Sequence, residues 1–418
     1  MIPALVATAL IAGPALASND TRFGEQYGLQ KIVAEVAWAS SIGTGITIAV
    51  VDTGTDLVHG DLKANVVAGY DFVDNDDDPR DEVAGPADGC PGNPGHGTHV
   101  SGIAAAVFDN GFGIAGVAPG ARIMPVRVLG KHGCGNFEDI DEGIRWAANN
   151  GALVINLSLG ENVVIRNVLG GSIESAVEYA WGKGAIAVVA GGNDTLFPSG
   201  YRTTNALIVA ATDRNDAKAS FSNGVGDAKW GISAPGVSII STLPGNRFAS
   251  LSGTSMAAPH VAGAAAVLRC LGLTKQQTVD RLLATADDLG LSGKDLEYGS
   301  GRLNLAAAVA GKGSCRSAAA STGAGAAPAT TKPATAKPAT APQSQPTSSG
   351  PQAGVPRSSP KVAQSLEGTS QTEASPSSAA KAVKGAVKRR GPGLPEAILA
   401  LAVVAGLVIG FLRRRSVD

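Results

Sequence analysis

Three short stretches of this chain carry side chains that together could drive a hydroxyl onto a carbonyl carbon. Val50-Val51-Asp52-Thr53-Gly54 ends an apolar run in a carboxylate. Gly95-His96-Gly97-Thr98-His99 sets an imidazole in a glycine-flanked turn, and Gly253-Thr254-Ser255-Met256-Ala257-Ala258-Pro259-His260 puts a hydroxyl where a helix is expected to begin. A serine hydroxyl is a weak nucleophile at neutral pH until a base removes its proton, and an imidazole steadied by a carboxylate is suited to that task. Singly, each stretch has a plainer reading: a strand-end cap for Asp52, a loop residue or metal ligand for His96, a helix cap for Ser255. Together they predict a hydrolase that works through an acyl intermediate.

The elements that must position these groups show in the apolar pattern. Runs 46–51, 123–128, 153–157, 185–189 and 207–211 are continuous and apolar, as in strands covered on both faces, and helical periodicity occupies 103–107, 140–148, 173–181 and 255–271. Strands alternating with helices predict an α/β domain with a doubly wound, mostly parallel sheet. Ligands of such sheets bind at the carboxyl ends of the strands, where Asp52, Ser158 and Asn193 fall.

The order Asp52, His96, Ser255 and the residues around each resemble the subtilisin-like serine proteases, or subtilases, with a pattern nearest the thermitase branch, over roughly Asn19 to Gly311. The resemblance implies endopeptidase activity in which Asp52 orients the imidazole, His96 is general base and acid, and Ser255 is the nucleophile. It also implies that Asn193, after Val188-Val189-Ala190-Gly191-Gly192, supplies an amide donor where negative charge develops. Two walls of a groove follow from it, Asn156-Leu157-Ser158-Leu159-Gly160 and Ala190-Gly191-Gly192, between which an extended peptide would add as a strand. Ser158, Leu159, Gly160, Ala190, Gly191 and Gly192 are therefore the expected substrate-binding residues. A catalytically silent binding module, or a peptide ligase or macrocyclase, could use the same fold.

Two structural Ca2+ sites are implied in the same way. Asp71, Asp74, Asp76, Asp78 and the Arg80 carbonyl lie in an acidic, turn-prone loop, where carboxylates two and three apart repel one another unless a cation gathers them. Asp20, Asp61, Asn110 and the carbonyls of Val107, Phe112 and Ile114 fit the second site, which would pin an N-terminal segment to a loop. His99 and His260 read as packed structural residues, and His59 and His132 as surface loop residues.

The remaining composition divides the 418 residues. Residues 1–17 are apolar and end in Ala15-Leu16-Ala17, the small-x-small form of a signal peptide cleavage site. Residues 18–316 form the peptidase domain, and 317–393, rich in Ala, Thr, Pro and Ser, hold too little apolar surface to fold and read as a disordered linker. Residues 394–412 read as one transmembrane helix whose apolar core, 397–412, covers about 24 Å of a hydrocarbon layer roughly 30 Å thick. Residues 413–418, opening on Arg413-Arg414-Arg415, read as a cytoplasmic tail. The four cysteines, Cys90, Cys134, Cys270 and Cys315, are widely spaced, which in an exported protein favours disulfides over buried free thiols. Three pairings are open, and Cys90–Cys134 with Cys270–Cys315 is the expected one. A formal net charge of −1 offers nucleic acid no basic surface. The whole reads as a monomeric, single-pass protein of the cell membrane, catalytic domain outside, with protein or peptide substrates.

Overall fold

A computed structural model describes residues 18–87, 90–159, 173–195 and 200–315, all within the first of the two units, Met1–Pro333, into which the chain divides. The expected signal peptide, linker, membrane helix and tail lie outside the described residues, as does Gly160. No helix among the described residues is long and apolar enough to cross a membrane.

Strand β1 (Thr47–Asp52) shows why the sheet is sandwiched. Its side chains alternate between two apolar layers, Ile48 and Val50 into one, Ala49 and Val51 into the other. The same alternation runs through β4 (Val154–Leu157), β5 (Ile186–Ala190) and β6 (Ala206–Thr212), so each strand needs cover on both faces. With β2 (Tyr70–Asp71), β3 (Arg122–Arg127) and β7 (Trp230–Pro235) they form one sheet in the order β2-β3-β1-β4-β5-β6-β7, paired in parallel throughout. Helix α3 (His96–Ala105) and the long α6 (Thr254–Cys270) contribute to the first layer; α4 (Phe137–Asn149) and α5 (Glu174–Lys183) cover the second. Short helices α1 (Tyr27–Lys31) and α2 (Ala34–Ala37), then α7 (Lys275–Ala284) and α8 (Leu305–Val309), complete the first layer. The doubly wound α/β expectation describes this sheet.

The expected strands match the observed ones to within a residue or two. Strand β7 was not expected, because Trp-Gly-Ile-Ser-Ala-Pro mixes a proline and a glycine into the run; the sheet tolerates them because β7 is its edge. The antiparallel hairpin β8 (Ile239–Leu243) and β9 (Arg247–Leu251) was also unexpected, and it packs on α3. There Ser241 Oγ donates to the His99 carbonyl (2.7 Å) and Thr242 Oγ1 to the Thr98 carbonyl (2.7 Å).

Both expected disulfides are present, with Cα–Cα distances of 5.6 Å for Cys90–Cys134 and 5.9 Å for Cys270–Cys315. The first ties the loop ahead of α3 to the loop after β3. The second fastens the end of α6 to a segment whose Cys315 N–H donates to the Ser40 carbonyl (2.7 Å).

At Gly263, helix α6 packs closely against Val117 and against α3 at Ala104. A Cβ on Gly263 would stand 2.6 Å from Val117 Cβ and 3.0 Å from the Ala104 carbonyl oxygen. Gly263→Ala should therefore press α6 away from Val117 and α3 and cost about 1–3 kcal/mol by overpacking, despite the better helix propensity of alanine. The urea midpoint of the variant measures this; a midpoint at or above that of the parent would contradict the packing described.

Candidate active site

Strand β1 ends on Asp52, fully buried, and α3 begins on His96, so the expected glycine-flanked turn is the first turn of a helix. His96 Nδ1 and Asp52 Oδ1 are 2.7 Å apart, and the same oxygen accepts the Thr53 N–H (2.8 Å). Bringing a helix this close to a strand end demands an absent side chain: a Cβ on Gly97 would lie 2.1 Å from the Gly54 carbonyl oxygen and 3.2 Å from Asp52 Cβ.

A helix start leaves its first N–H groups without intrahelical acceptors, and Gly95 has no side chain to offer one. Three side chains from elsewhere do so. Asn93 Oδ1 accepts the His96 N–H (2.8 Å), Thr53 Oγ1 that of Gly97 (2.9 Å) and Asp81 Oδ2 that of Thr98 (2.9 Å). Sequence reasoning missed Thr53, Asp81 and Asn93. Asp81, in the loop between β2 and α3, had no local pattern to mark it as a cap.

Ser255 occupies the first turn of α6, and a proline four residues later shapes its surroundings. Pro259 has no N–H to give to the Ser255 carbonyl, and that carbonyl accepts instead from Ser158 Oγ (2.8 Å) at the end of β4. The contact is reciprocal, because Ser255 Oγ donates to the Ser158 carbonyl (3.2 Å). Asn156 Nδ2 donates to Ser158 Oγ (2.9 Å) and extends the chain into the sheet.

Asn193, exposed after β5, is oriented by Thr254. Its Oδ1 accepts both the N–H (3.0 Å) and the hydroxyl (3.1 Å) of Thr254, whose Oγ1 in turn accepts the Gly192 N–H (3.1 Å). With two donors on its oxygen, the amide must present its nitrogen to the remaining side. Asn193 Nδ2 comes within 3.7 Å of a Cβ position built on Gly253, beside the Ser255 N–H. Ser158 and Leu159 leave β4 while Ala190, Gly191 and Gly192 leave β5, and these strands are parallel neighbours with Leu157 opposite Val189. The expected groove walls are thus the ends of adjacent strands.

Electrostatics separate the histidines. Burial pushes the His96 pKa down, but the charge and hydrogen bond of Asp52, with the charge of Asp81 behind it, outweigh burial and raise it above its ordinary 6.5. Burial lowers His99 to about 3 and His260 to about 4, holding both neutral; their ring nitrogens pair with the carbonyls of Ala249 (3.0 Å) and Met256 (2.9 Å). His59 departs from expectation. It is buried rather than on the surface, edge-on to Phe248, with Nε2 3.3 Å from the Arg247 carbonyl.

The two sets of expected calcium ligands differ. Asp71, Asp74, Asp76 and Asp78 do not converge as a cradle, and among the described residues no cluster of three or more acidic, histidine or cysteine side chains has metal-holding geometry. Arg127 supplies the positive charge instead: its guanidinium pairs with Asp71 (2.5 Å), Asp74 (2.6 Å) and Glu82 (2.9 Å). Asp78 pairs with the Arg80 side chain (2.7 Å), and Asp76 Oδ1 accepts the Asp78 N–H (2.9 Å). In this loop the carboxylate charge is balanced by Arg127 and Arg80.

The second set does come together. Asp20 Oδ1 accepts the Asn110 N–H (2.9 Å), Asp61 Oδ1 accepts from Asn110 Nδ2 (3.0 Å), and Asp61 Oδ2 accepts the Ile114 N–H (2.8 Å). Burial pushes the Asp61 carboxyl up to about 6, against the hydrogen bonds from Asn110 and Ile114, and the charge of Asp20 adds a lesser push in the same direction. Two carboxylates and an amide thus lie together where the N-terminal segment meets the 107–114 loop.

The family model of the subtilases matches residues 43–301, which contain Asp52, His96, Asn193 and Ser255. The chain belongs to the subtilase family. This subtilase is 45% identical over 298 residues to a thermophilic serine proteinase of Bacillus sp. (strain AK1), covering 70% of this chain and 69% of the relative. It is 46% identical over 299 residues to thermitase of Thermoactinomyces vulgaris, covering 70% and 98%. Among solved structures, a protease of Pseudoalteromonas arctica PAMC 21717 superposes with a TM-score of 0.61 at 32% identity, over 70% of this chain and 98% of that one. The subtilase is a serine endopeptidase.

The neutral buried histidines predict an acid limit. In the unfolded chain each takes up a proton near pH 6.5, whereas in the folded protein His99 and His260 resist protonation down to about 3 and about 4. The unfolded state binds more protons in that window, so their contribution to stability is full above pH 6.5 and declines as pH falls towards 4. Each histidine adds up to about 1.4 kcal/mol per pH unit to the slope. Urea midpoints between pH 7 and 4.5 should fall, and fall less steeply in His260→Gln; identical slopes would contradict this.

Proposed function

We propose that this subtilase cleaves proteins outside the cell through an Asp52–His96–Ser255 triad, with Asn193 and the Ser255 N–H as oxyanion donors. The observation that carries the assignment is the 2.7 Å contact of His96 Nδ1 with the buried Asp52, which leaves Nε2 as the proton-accepting nitrogen. Ser255 attacks the scissile carbonyl as His96 Nε2 takes the hydroxyl proton. The imidazolium is stabilised by Asp52, and the developing oxyanion lies between Asn193 Nδ2 and the N–H at the start of α6, where the helix dipole adds to the stabilisation. His96 then protonates the leaving amine, and water repeats the cycle on the acyl-enzyme.

An extended substrate between Ser158-Leu159 and Ala190-Gly191-Gly192 would bring its own N–H groups to the strand ends. Binding there competes for the Ser158 carbonyl, which now accepts the Ser255 hydroxyl. Displacing that hydroxyl frees it to turn to His96, so recognition and activation of the nucleophile are coupled. The signal-like residues 1–17 and the apolar stretch 397–412 followed by three arginines support anchoring by one span, with the catalytic domain outside.

Ca2+ fits the Asp20, Asp61 and Asn110 cluster, with the Val107, Phe112 and Ile114 carbonyls; bound there it would supply charge balance and fasten the N-terminal segment to the 107–114 loop. Excess chelator should lower the melting temperature of the parent and leave Asp61→Asn, already destabilised, unchanged. An equal effect of chelator on both proteins would place the ion elsewhere.

Ser255→Ala should abolish turnover, a loss of at least about 10³-fold, with an unchanged urea midpoint; Asn193→Ala should lower kcat by about 10²-fold with little change in KM. Peptide cleavage assays on the purified variants measure both. Parent-like cleavage by Ser255→Ala would remove the assignment.

A further inference from the structure

Asp81 is a second buried carboxylate close to the first, and peptide-bond chemistry as described above makes no use of it. It lies between β2 and α3, is 9% exposed, and accepts four hydrogen bonds. Oδ1 takes Thr53 Oγ1 (2.9 Å) and Asn93 Nδ2 (2.7 Å); Oδ2 takes the N–H (2.9 Å) and the hydroxyl (2.6 Å) of Thr98. Burial pushes the Asp81 carboxyl pKa up, and these four donors, all aimed at its two oxygens, favour the ionised form against that penalty.

Each donor leads back to the Asp52–His96 pair. Thr53 follows Asp52; with its one proton committed to Asp81, its oxygen faces the Gly97 N–H. Asn93 could present either end of its amide to α3. Because its nitrogen is held by Asp81 and by the Glu82 carbonyl (2.7 Å), its oxygen faces the N–H groups of Gly95 and His96 (2.8 Å each). Thr98 belongs to the same helical turn as His96. Rotation of any of these groups would release one of the first N–H groups of α3, and α3 carries the imidazole.

We propose that Asp81 is a positioning residue of this protease: its carboxylate locks Thr53, Asn93 and Thr98 in the orientations that hold His96 against Asp52, and its fixed negative charge stabilises the imidazolium formed during proton transfer. This rests on His96 being the base. The charged or titratable groups acting on His96 are Asp52 from β1, Asp81 from the preceding loop, and His99 one turn along α3, which is kept neutral. Removing the Asp81 charge therefore leaves Asp52 as the carboxylate favouring the protonated ring.

The test uses the full-length protein, with a fluorophosphonate to count competent sites and a peptide substrate to measure kcat and KM per counted site across pH. Asp81→Asn removes the charge and sets an amide nitrogen against donors. It should lower kcat per site at least about tenfold, with KM changed less than about twofold, and shift the acid limb of kcat/KM to lower pH by about half a unit or more. Asn93→Ala keeps the charge and frees the His96 N–H, so kcat should fall with the limb unmoved. A role confined to folding would reduce the number of competent sites and leave per-site constants and the acid limb of Asp81→Asn at parent values; that result overturns the proposal. If Asp81→Asn does not fold, Asn93→Ala decides, and an unchanged kcat per site overturns it. A parent protein that is not labelled at Ser255 would refute the triad assignment itself, a distinct failure.

Discussion

The contact between Asp52 and His96 requires the end of a central strand and the start of a helix to meet almost backbone to backbone, and much of the local sequence answers to that distance. The carboxylate must be buried to be held rigidly, yet a buried carboxylate needs donors; the Thr53 N–H and the imidazole supply them to Oδ1, while Oδ2 has none among the described residues. The helix must start at the histidine itself, yet its sequence, with glycines at 97 and 102, forms a helix poorly on its own. Tertiary contacts compensate. Gly97 allows the approach, and Thr53, Asn93 and Asp81 accept the N–H groups that the helix start exposes.

The second half of the site answers to a different constraint, the joining of α6 to two strand ends. Proline in a helix interior normally disrupts a hydrogen bond; here it leaves the Ser255 carbonyl to Ser158, so the helix bearing the hydroxyl is tied to β4. Thr254 ties the same turn to Asn193 after β5 through its N–H and hydroxyl together. Ser255, Asn193 and the proposed groove wall are thus referred to one rigid sheet, a condition for donors to be aimed before charge develops.

The principal strands, the parallel sheet and the residues of the candidate site were legible because continuous apolar runs and flanking motifs are local signals. The pairing expected among the three open ones is the one the structure contains. What could not be read was set by partners far away in the chain. Asp81 is one more acidic residue in an acidic loop until folding brings Thr98 and Asn93 to it, and the repulsion expected among Asp71, Asp74 and Glu82 is relieved by Arg127, some 45 to 56 residues distant. His59 likewise appears as a polar loop residue until Phe112 and Phe248 enclose it. The loop carrying Cys90 is closed at its base in the same way, by Asn93, which pairs with Ala84 and with Asp81.

The account depends on four groups from separate elements converging on one reacting carbon. A crystal structure of the protein inhibited by a peptidyl phosphonate examines this directly. Phosphorus bonded to Ser255 Oγ, with one oxygen within hydrogen-bond distance of both Asn193 Nδ2 and the Ser255 N–H and with His96 still paired to Asp52, is the predicted result. An adduct on another residue, or a phosphonyl oxygen turned to solvent away from Asn193, would contradict it.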